Sequence, residues 1–168
     1  MLRNKQLKTA ITHSKKRKAL AHNFETTKTM GVIFPFHFNM DIALNALKNI
    51  ATEHDIVMTF LIYFPQDKLP EGTEMSSSRI FFSNNECNWF GKPKTVEINN
   101  FINTSFNILI DLSSKLWFPL QCIAASSHAN FKIGRIDGED NPYDFLLLGS
   151  NSEEQFIKDL ETYIHKIK

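Results

Sequence analysis

The run "IVMTFLIYF", residues 56–64, is the feature that most constrains the fold of this 168-residue chain. It is almost continuously apolar and rich in β-branched and aromatic residues. A strand with one face in water alternates between polar and apolar positions, whereas a strand that is covered on both faces does not. The run therefore predicts a central strand of a mostly parallel sheet, with a layer of helices on either side.

The residues before this run predict how the sheet begins. "GVIFPFHF" (31–38) is typical of a first strand, and Pro35, which has no N–H to donate, places that strand at an edge or at a bend. Apolar residues then recur at helical spacing over 41–55, with Asn39 or Asp41 as the N-cap. Strand, helix and strand in this order indicate a right-handed crossover.

The rest of the chain repeats these patterns. Short strands are predicted at 79–82 and 106–110, and helices at 95–103, 118–127 and from a capping Ser152 to the C-terminus. "FKIGRI" (131–136) and "YDFLLL" (143–148) flank "DGEDNP", which predicts a hairpin. Together these elements predict a three-layer α/β domain, with a mixed, mostly parallel sheet flanked by helices.

Positive charge is concentrated at the N-terminus. Of the 19 Lys and Arg residues, seven lie within 1–24, where there is no acid, so the remainder holds 12 bases against 18 acids and a net charge of −6. Helix-forming residues dominate 1–24 and Pro and Gly are absent, but its apolar stripe is thin. We therefore predict a basic N-terminal helical arm, residues 1–24, that needs a partner to form fully, and a single α/β domain, residues 25–168.

A basic tail on an acidic body is typical of an anchor for a polyanion. "KKRK" (15–18) on a helix distributes charge around most of the circumference, which suits an RNA groove. A membrane surface favours charge on one face and aromatic or leucine residues on the other. The hypothesis is a non-enzymatic RNA-associated protein, ribosomal or ribosome-bound, whose arm contacts rRNA while its body contacts RNA or neighbouring proteins. A solubility tail, docking of the tail onto the body and a peripheral membrane protein remain alternatives.

Nine cations are the candidate RNA-binding residues. Two of them stand in "NWFGKPK" (88–94), where Trp89 and Phe90 beside lysines are suited to stacking on bases, although a hydrophobic plug explains the same pattern. The full set is Arg3, Lys5, Lys8, Lys15, Lys16, Arg17, Lys18, Lys92 and Lys94.

A small enzyme or ligand-binding domain is the other hypothesis. "DLSS" follows a predicted strand, and ligands of open α/β sheets bind beyond the carboxyl ends of strands. Ser, His and Asp together can form a nucleophilic site, but Asp and Ser after a strand also begin ordinary turns. The candidate residues are Asp111, Ser113, Ser114, Ser126, Ser127 and His128. Four acidic residues near the predicted hairpin could bind a divalent cation, but a solvated hairpin tip explains them more simply. They are Asp137, Glu139, Asp140 and Asp144.

Several classes of protein have no signature here. The glycines form neither GxGxxG nor GxxxxGK[ST], and GxSxG and HExxH do not occur. The two cysteines show no CxxC spacing, and no apolar run reaches 18 residues or follows the charged N-terminus. We therefore expect a cytoplasmic protein with no cofactor, no metal, no small-molecule substrate and no stable membrane insertion.

Four stretches carry a resemblance to a known family: "NWFGKP", "FNILIDLSS", "FPLQCIAASSHANFKIGR" and "YDFLLL". Over about residues 31–168 the chain resembles a bacterial family known only as a domain of unknown function. The resemblance implies a small cytoplasmic bacterial α/β protein, such as a lineage-specific ribosome component. It assigns no activity, and so no catalytic residue is carried over from it.

Overall fold

The computed structural model describes residues 2–88, 94–138 and 140–167. Its centre is a six-stranded sheet in which every pairing is parallel. The strands are β1 (Thr29–Pro35), β2 (Val57–Phe64), β3 (Arg79–Ser83), β4 (Ile108–Asp111), β5 (Phe131–Gly134) and β6 (Phe145–Leu146).

Within the described residues, five α-helices flank the sheet, and the last of them begins at the capping Ser152 that the sequence predicts. Thr95 and Ser152 accept backbone N–H bonds from the third residue of their helices, at 3.4 Å and 3.1 Å. Asn39 precedes the second helix without a side-chain cap bond. The helices are α1 (Leu2–Lys16), α2 (Met40–Glu53), α3 (Val96–Asn103), α4 (Phe118–Ser126) and α5 (Glu153–Ile164).

The strand order β3-β2-β1-β4-β5-β6 shows how the chain winds. From β1 it builds outward through β2 and β3, then returns across the sheet and builds in the other direction from β4. The two halves meet between β1 and β4, which is the switch point of a doubly wound sheet. Loops that follow these two strands diverge to opposite faces, and a crevice forms where they separate.

Two apolar layers enclose the sheet, which confirms the predicted three-layer α/β architecture. One layer joins α2 and α5 to alternate strand residues such as Val32 and Ile110. The other joins α3 and α4 to the intervening residues, such as Ile33 and Leu109. The prediction for "IVMTFLIYF" is confirmed, because β2 lies inside the sheet with buried residues on both faces.

One local prediction is wrong, and one of the two alternatives of another is excluded. Residues 131–136 and 143–148 do not form a hairpin, because β5 and β6 pair in parallel, with Ile133 opposite Phe145. Instead of a tight turn, a ten-residue connection, residues 135–144, returns the chain to the edge of the sheet where β5 began, as parallel pairing requires. Of the two alternatives that Pro35 suggested for the first strand, an edge position is wrong, because Pro35 is the last residue of an interior strand, where a missing N–H interrupts little.

Candidate functional site

The basic N-terminal segment forms α1, which packs along α4 on one face of the domain. On the side of α1 that faces the domain, Ile11 is 3% exposed and Ser14 is also buried. Near the start of the helix, the Arg3 guanidinium lies 3.8 Å from the centre of the Phe118 ring. Docking of the tail onto the body, one of the alternatives considered from the sequence, is therefore what the structure contains.

The residues after α1 attach it to the sheet. Arg17 donates to Asn130 O at 2.9 Å and forms an ion pair with Asp144. The Leu20 N–H donates to the same Asn130 oxygen at 3.1 Å. Phe24 is 1% exposed and belongs to the apolar layer formed with α2 and α5. The segment thus crosses from one face of the sheet to the other before β1 begins.

Lys132 lies beneath α1 and is fully buried. Its Nζ donates to Ser14 Oγ at 2.8 Å and to Ala125 O at 3.3 Å, so one side chain links α1, α4 and β5. Burial and, to a smaller extent, the nearby Arg17 charge lower the pKa of Lys132 to about 7, against the opposing effect of Asp144. Sequence reasoning missed this residue, although a lysine between Phe131 and Ile133 in an apolar strand is a visible signal.

A basic surface lies on the solvent side of α1 and just beyond its end, and we define it by Lys5, Lys8, Lys15 and Lys16 of the helix and by Lys18 after it. All five are exposed, and Lys8 makes a 2.8 Å ion pair with Asp140. The surface also carries the polar side chains of Asn4, Thr9, Thr12 and His13. A 15-residue helix is about 22 Å long, so these cations extend over a length that several phosphates could occupy.

Of the other four candidate RNA-binding residues, the three that the structure describes make contacts within the domain. Arg3 and Arg17 make the contacts that hold the N-terminal segment to the domain. Lys94 donates from Nζ to Asn85 O at 3.2 Å. Lys92, together with Trp89 and Phe90, lies outside the described residues.

Asp111, at the carboxyl end of β4, lies in a buried polar cluster. Its Oδ1 accepts the Ser113 N–H at 2.8 Å, and its Oδ2 accepts the Tyr143 hydroxyl. Burial raises the pKa of the Asp111 carboxyl, while hydrogen bonds from Ser113 and Tyr143 and the charge of Arg135 lower it. Burial and the facing carboxylate raise the pKa of Tyr143 well above its ordinary value. Tyr143 is a partner that sequence spacing did not indicate.

The expected approach of His128 to Asp111 is wrong. His128, with Ser126 and Ser127, follows α4 and precedes β5, so it lies at the amino edge of the sheet. Asp111 lies at the carboxyl edge, one strand away, and β4 alone is about 13 Å long. Ser113 is 2% exposed, whereas Ser114 and His128 are exposed. The structure therefore does not assemble a Ser–His–Asp site from these residues.

A cleft of about 430 Å³ lies instead at the switch point between β1 and β4. Arg135, which follows β5, is half-buried there and donates from Nε to Ser113 O at 3.3 Å. His37 Nε2 lies 3.0 Å from both carboxylate oxygens of Glu153 at the start of α5. The other residues that line the cleft are Pro35, Phe36, Asn39, Ser114, Lys115, Trp117, Asn151 and Glu154.

The described parts of the chain contain neither a metal-binding cluster nor a helix that could span a membrane. Within residues 2–88, 94–138 and 140–167, no three His, Cys, Asp or Glu side chains are placed to hold a metal ion. Asp144 forms an ion pair with Arg17 and accepts a hydrogen bond from the Lys132 N–H. Glu139 lies outside the described residues. No described helix is long and apolar enough to cross a membrane.

Comparisons with known proteins give one positive result. A family model described as "Family of unknown function (DUF6913)" matches residues 1–167. The match includes the basic N-terminal segment, which the resemblance found from the sequence did not cover. No curated protein and no solved structure matches the chain.

Proposed function

The chain belongs to this family of unknown function, DUF6913, and we propose that it is a non-enzymatic RNA-associated protein of the cytoplasm that binds through α1. The observation that carries the proposal is the basic surface, which consists of four exposed lysines on α1 and Lys18 just after it, on a helix that is itself attached to the domain. Ribosomal RNA is the proposed target, with neighbouring ribosomal proteins against the acidic body.

Attachment of α1 supports the proposal, because it orders the basic surface before any partner arrives. The helix is held by Ile11, by Ser14 and by the Arg17 contacts, so little ordering entropy is lost when phosphates bind. Arg3 and Arg17 are removed from the phosphate-binding set, because they serve the attachment. We therefore propose a rigid basic surface that lies against RNA, and not an arm that reaches into it.

The composition of this surface favours RNA over lipid. An interfacial helix inserts a broad apolar face, whereas the exposed side of α1 carries lysines, threonines and a histidine. Its few leucines are dispersed: Leu2 is exposed near the start of the helix, and Leu20 lies beyond its end. Binding to phosphates by lysines alone is largely independent of sequence and strongly dependent on salt.

A triple substitution tests the proposal: Lys5→Gln, Lys15→Gln and Lys16→Gln in the full-length chain. We expect RNA affinity at 0.1 M salt to fall by about 100-fold, because each lost phosphate contact removes roughly one counterion-release step. The slope of log K against log salt should become shallower by about 2 to 3. Binding is measured by filter retention with ribosomal particles and with isolated rRNA fragments over a range of salt concentrations.

The matched control replaces three exposed lysines on other surfaces: Lys48→Gln, Lys68→Gln and Lys158→Gln. These substitutions change the net charge by the same amount. This control should retain most of the affinity and the salt slope. Equal losses in both triple variants would show that only net charge matters and would contradict binding through α1. Charge substitution is preferred to truncation, because removal of α1 would uncover the buried Lys132.

A further inference from the structure

We propose that the cleft at the switch point between β1 and β4 binds a small carboxylic acid with an apolar or aromatic body, and that Arg135 holds its carboxylate. Sequence patterns predict no small-molecule substrate, and this site does not depend on the RNA-binding proposal. It lies at the carboxyl edge of the sheet, among loops after β1, β4 and β5.

The position of the cleft is the first argument. In open α/β sheets, ligands bind in the crevice beyond the carboxyl ends of the strands, where the strand order reverses. Here that point lies between Pro35 at the end of β1 and Asp111 at the end of β4. The volume of about 430 Å³ falls within the range of small-molecule pockets.

Arg135 supplies the second argument, because it is a half-buried cation and the two carboxylates whose charges act on it, Glu153 and Asp111, already have other hydrogen-bond partners. Asp111 accepts hydrogen bonds from Ser113 and Tyr143, and both oxygens of Glu153 face His37. Among the described residues, the only hydrogen-bond acceptor shown for Arg135 is Ser113 O, reached through Nε.

The guanidinium is also held in place from below, 5.8 Å from the centre of the Phe156 ring. An anchored guanidinium whose Nη groups make no hydrogen bond to a carboxylate in the described part of the chain is suited to bidentate binding of an oxyanion. Burial lowers the pKa of Arg135, so a ligand anion would also restore some of the solvation that this charge has lost.

A carboxylate is favoured over a phosphate for two reasons. Glu153 and Glu154 line the same cleft, and their charges repel a phosphate dianion more strongly than a monoanion. The turn after β1 reads "PFHFNM", without the glycines that let backbone N–H groups approach a phosphate, and its space is taken by Phe36 and His37.

The other side chains that line the cleft favour a ligand with an apolar body. Pro35, Phe36 and Trp117 border the cleft, and the Trp117 ring is oriented by an edge contact with Tyr63 at 5.7 Å. Lys115 Nζ lies 4.4 Å from the centre of the same ring, which brings a second cation to the cleft. Phe38, in the loop after β1, is 94% exposed and extends the aromatic surface beside the cleft.

The test uses benzoate, phenylacetate and indole-3-acetate as probes, each compared with its uncharged amide. In NMR titrations of the full-length protein, we expect at least one acid to shift the Trp117 indole N–H and the Arg135 side-chain signals saturably. The matching amide should bind at least about tenfold more weakly, because it cannot pair with the guanidinium. The Arg135→Lys variant keeps the charge but loses the planar guanidinium. It should bind the acid about tenfold more weakly than the wild-type protein does.

Matched controls separate this site from other effects. Arg79→Lys, at the start of β3, should leave acid binding unchanged, as should the triple substitution of the α1 lysines. The proposal is overturned if no acid gives a saturable shift at millimolar concentration, or if acid and amide bind equally to the wild-type protein. It is also overturned if inorganic phosphate or AMP binds where the acids do not. The comparison of acid with amide stays decisive even if Arg135→Lys fails to fold.

Discussion

Replacing Lys132 by methionine is expected to raise the free energy of unfolding by about 3 kcal/mol at pH 6. Burial lowers the pKa of this lysine from 10.5 to about 7, so keeping it charged in the folded state costs about 4 to 5 kcal/mol. Methionine keeps the length of the stem and removes the charge. The gain is reduced by the loss of the hydrogen bonds to Ser14 and Ala125.

The stability of the wild-type protein should depend on pH because of the same residue. Below pH 7 both the folded and the unfolded state hold the Lys132 proton, so the full cost is present. Between about 7 and 10.5 the unfolded state binds more protons than the folded state, and stability therefore rises with pH. The advantage of Lys132→Met should accordingly shrink as pH increases from 6 to 8.5.

Urea unfolding of both proteins at several pH values measures this difference. Burial raises the pKa of Cys87 to about 11 and that of Cys122 to about 12, so their contribution lowers stability above pH 9. Both cysteines are present in each protein and cancel in the comparison. Lys48→Met, at an exposed position of α2, should change stability by no more than about 0.5 kcal/mol. If Lys132→Met and the wild type had the same free energy of unfolding, or differed by an amount that did not change with pH, the inferred cost of burying the charge would be contradicted.

Gly134→Ala is expected to destabilise the fold by about 3 to 5 kcal/mol. Gly134 ends β5, and the Tyr143 ring lies directly over it. A Cβ atom built on Gly134 would come within 2.6 to 2.8 Å of three carbon atoms of that ring. The ring has little room to yield, because its hydroxyl is bonded to the buried Asp111. Moving the ring would leave that carboxyl without one of its donors.

Gly138→Ala provides the matched control, because among the described residues, its chain neighbours aside, no atom lies within 4 Å of the Cβ that it would carry. Thermal and urea unfolding of the two variants should show a large loss for the first and little change for the second. Losses of similar size in both would mean that chain flexibility, and not the contact with Tyr143, determines the effect. Ultraviolet difference spectra of tyrosine should also change in Gly134→Ala if the ring is displaced.

Much of the fold could be predicted from the sequence because it depends on short-range patterns. The apolar run at 56–64 predicted a strand covered on both faces, and β2 is one. Ser152 predicted the start of α5, since a cap depends only on residues within one turn. The hairpin failed for the opposite reason: "DGEDNP" is a turn signal, but the partner and direction of β6 depend on the whole connection and on the packing of Tyr143.

The candidate sites were less accessible from the sequence. The five lysines of the basic surface were identified, but the roles of Arg3 and Arg17 depend on Phe118, Asn130 and Asp144, which lie more than 100 residues away. Arg135 and Tyr143 were missed because neither stands in a motif. Asp111 was singled out correctly as a strand-end residue, but with the wrong partner, since His128 lies at the other edge of the sheet.

The sequence by itself determined the class of fold and the partition of charge, with a basic segment before an acidic body. These properties follow from composition and from periodicities of a few residues. Only the tertiary structure decided that the basic segment docks on α4, that Lys132 is buried beneath it, and that Arg135 and Trp117 share one cleft. Each of these depends on contacts between residues distant in the chain, which local patterns do not specify.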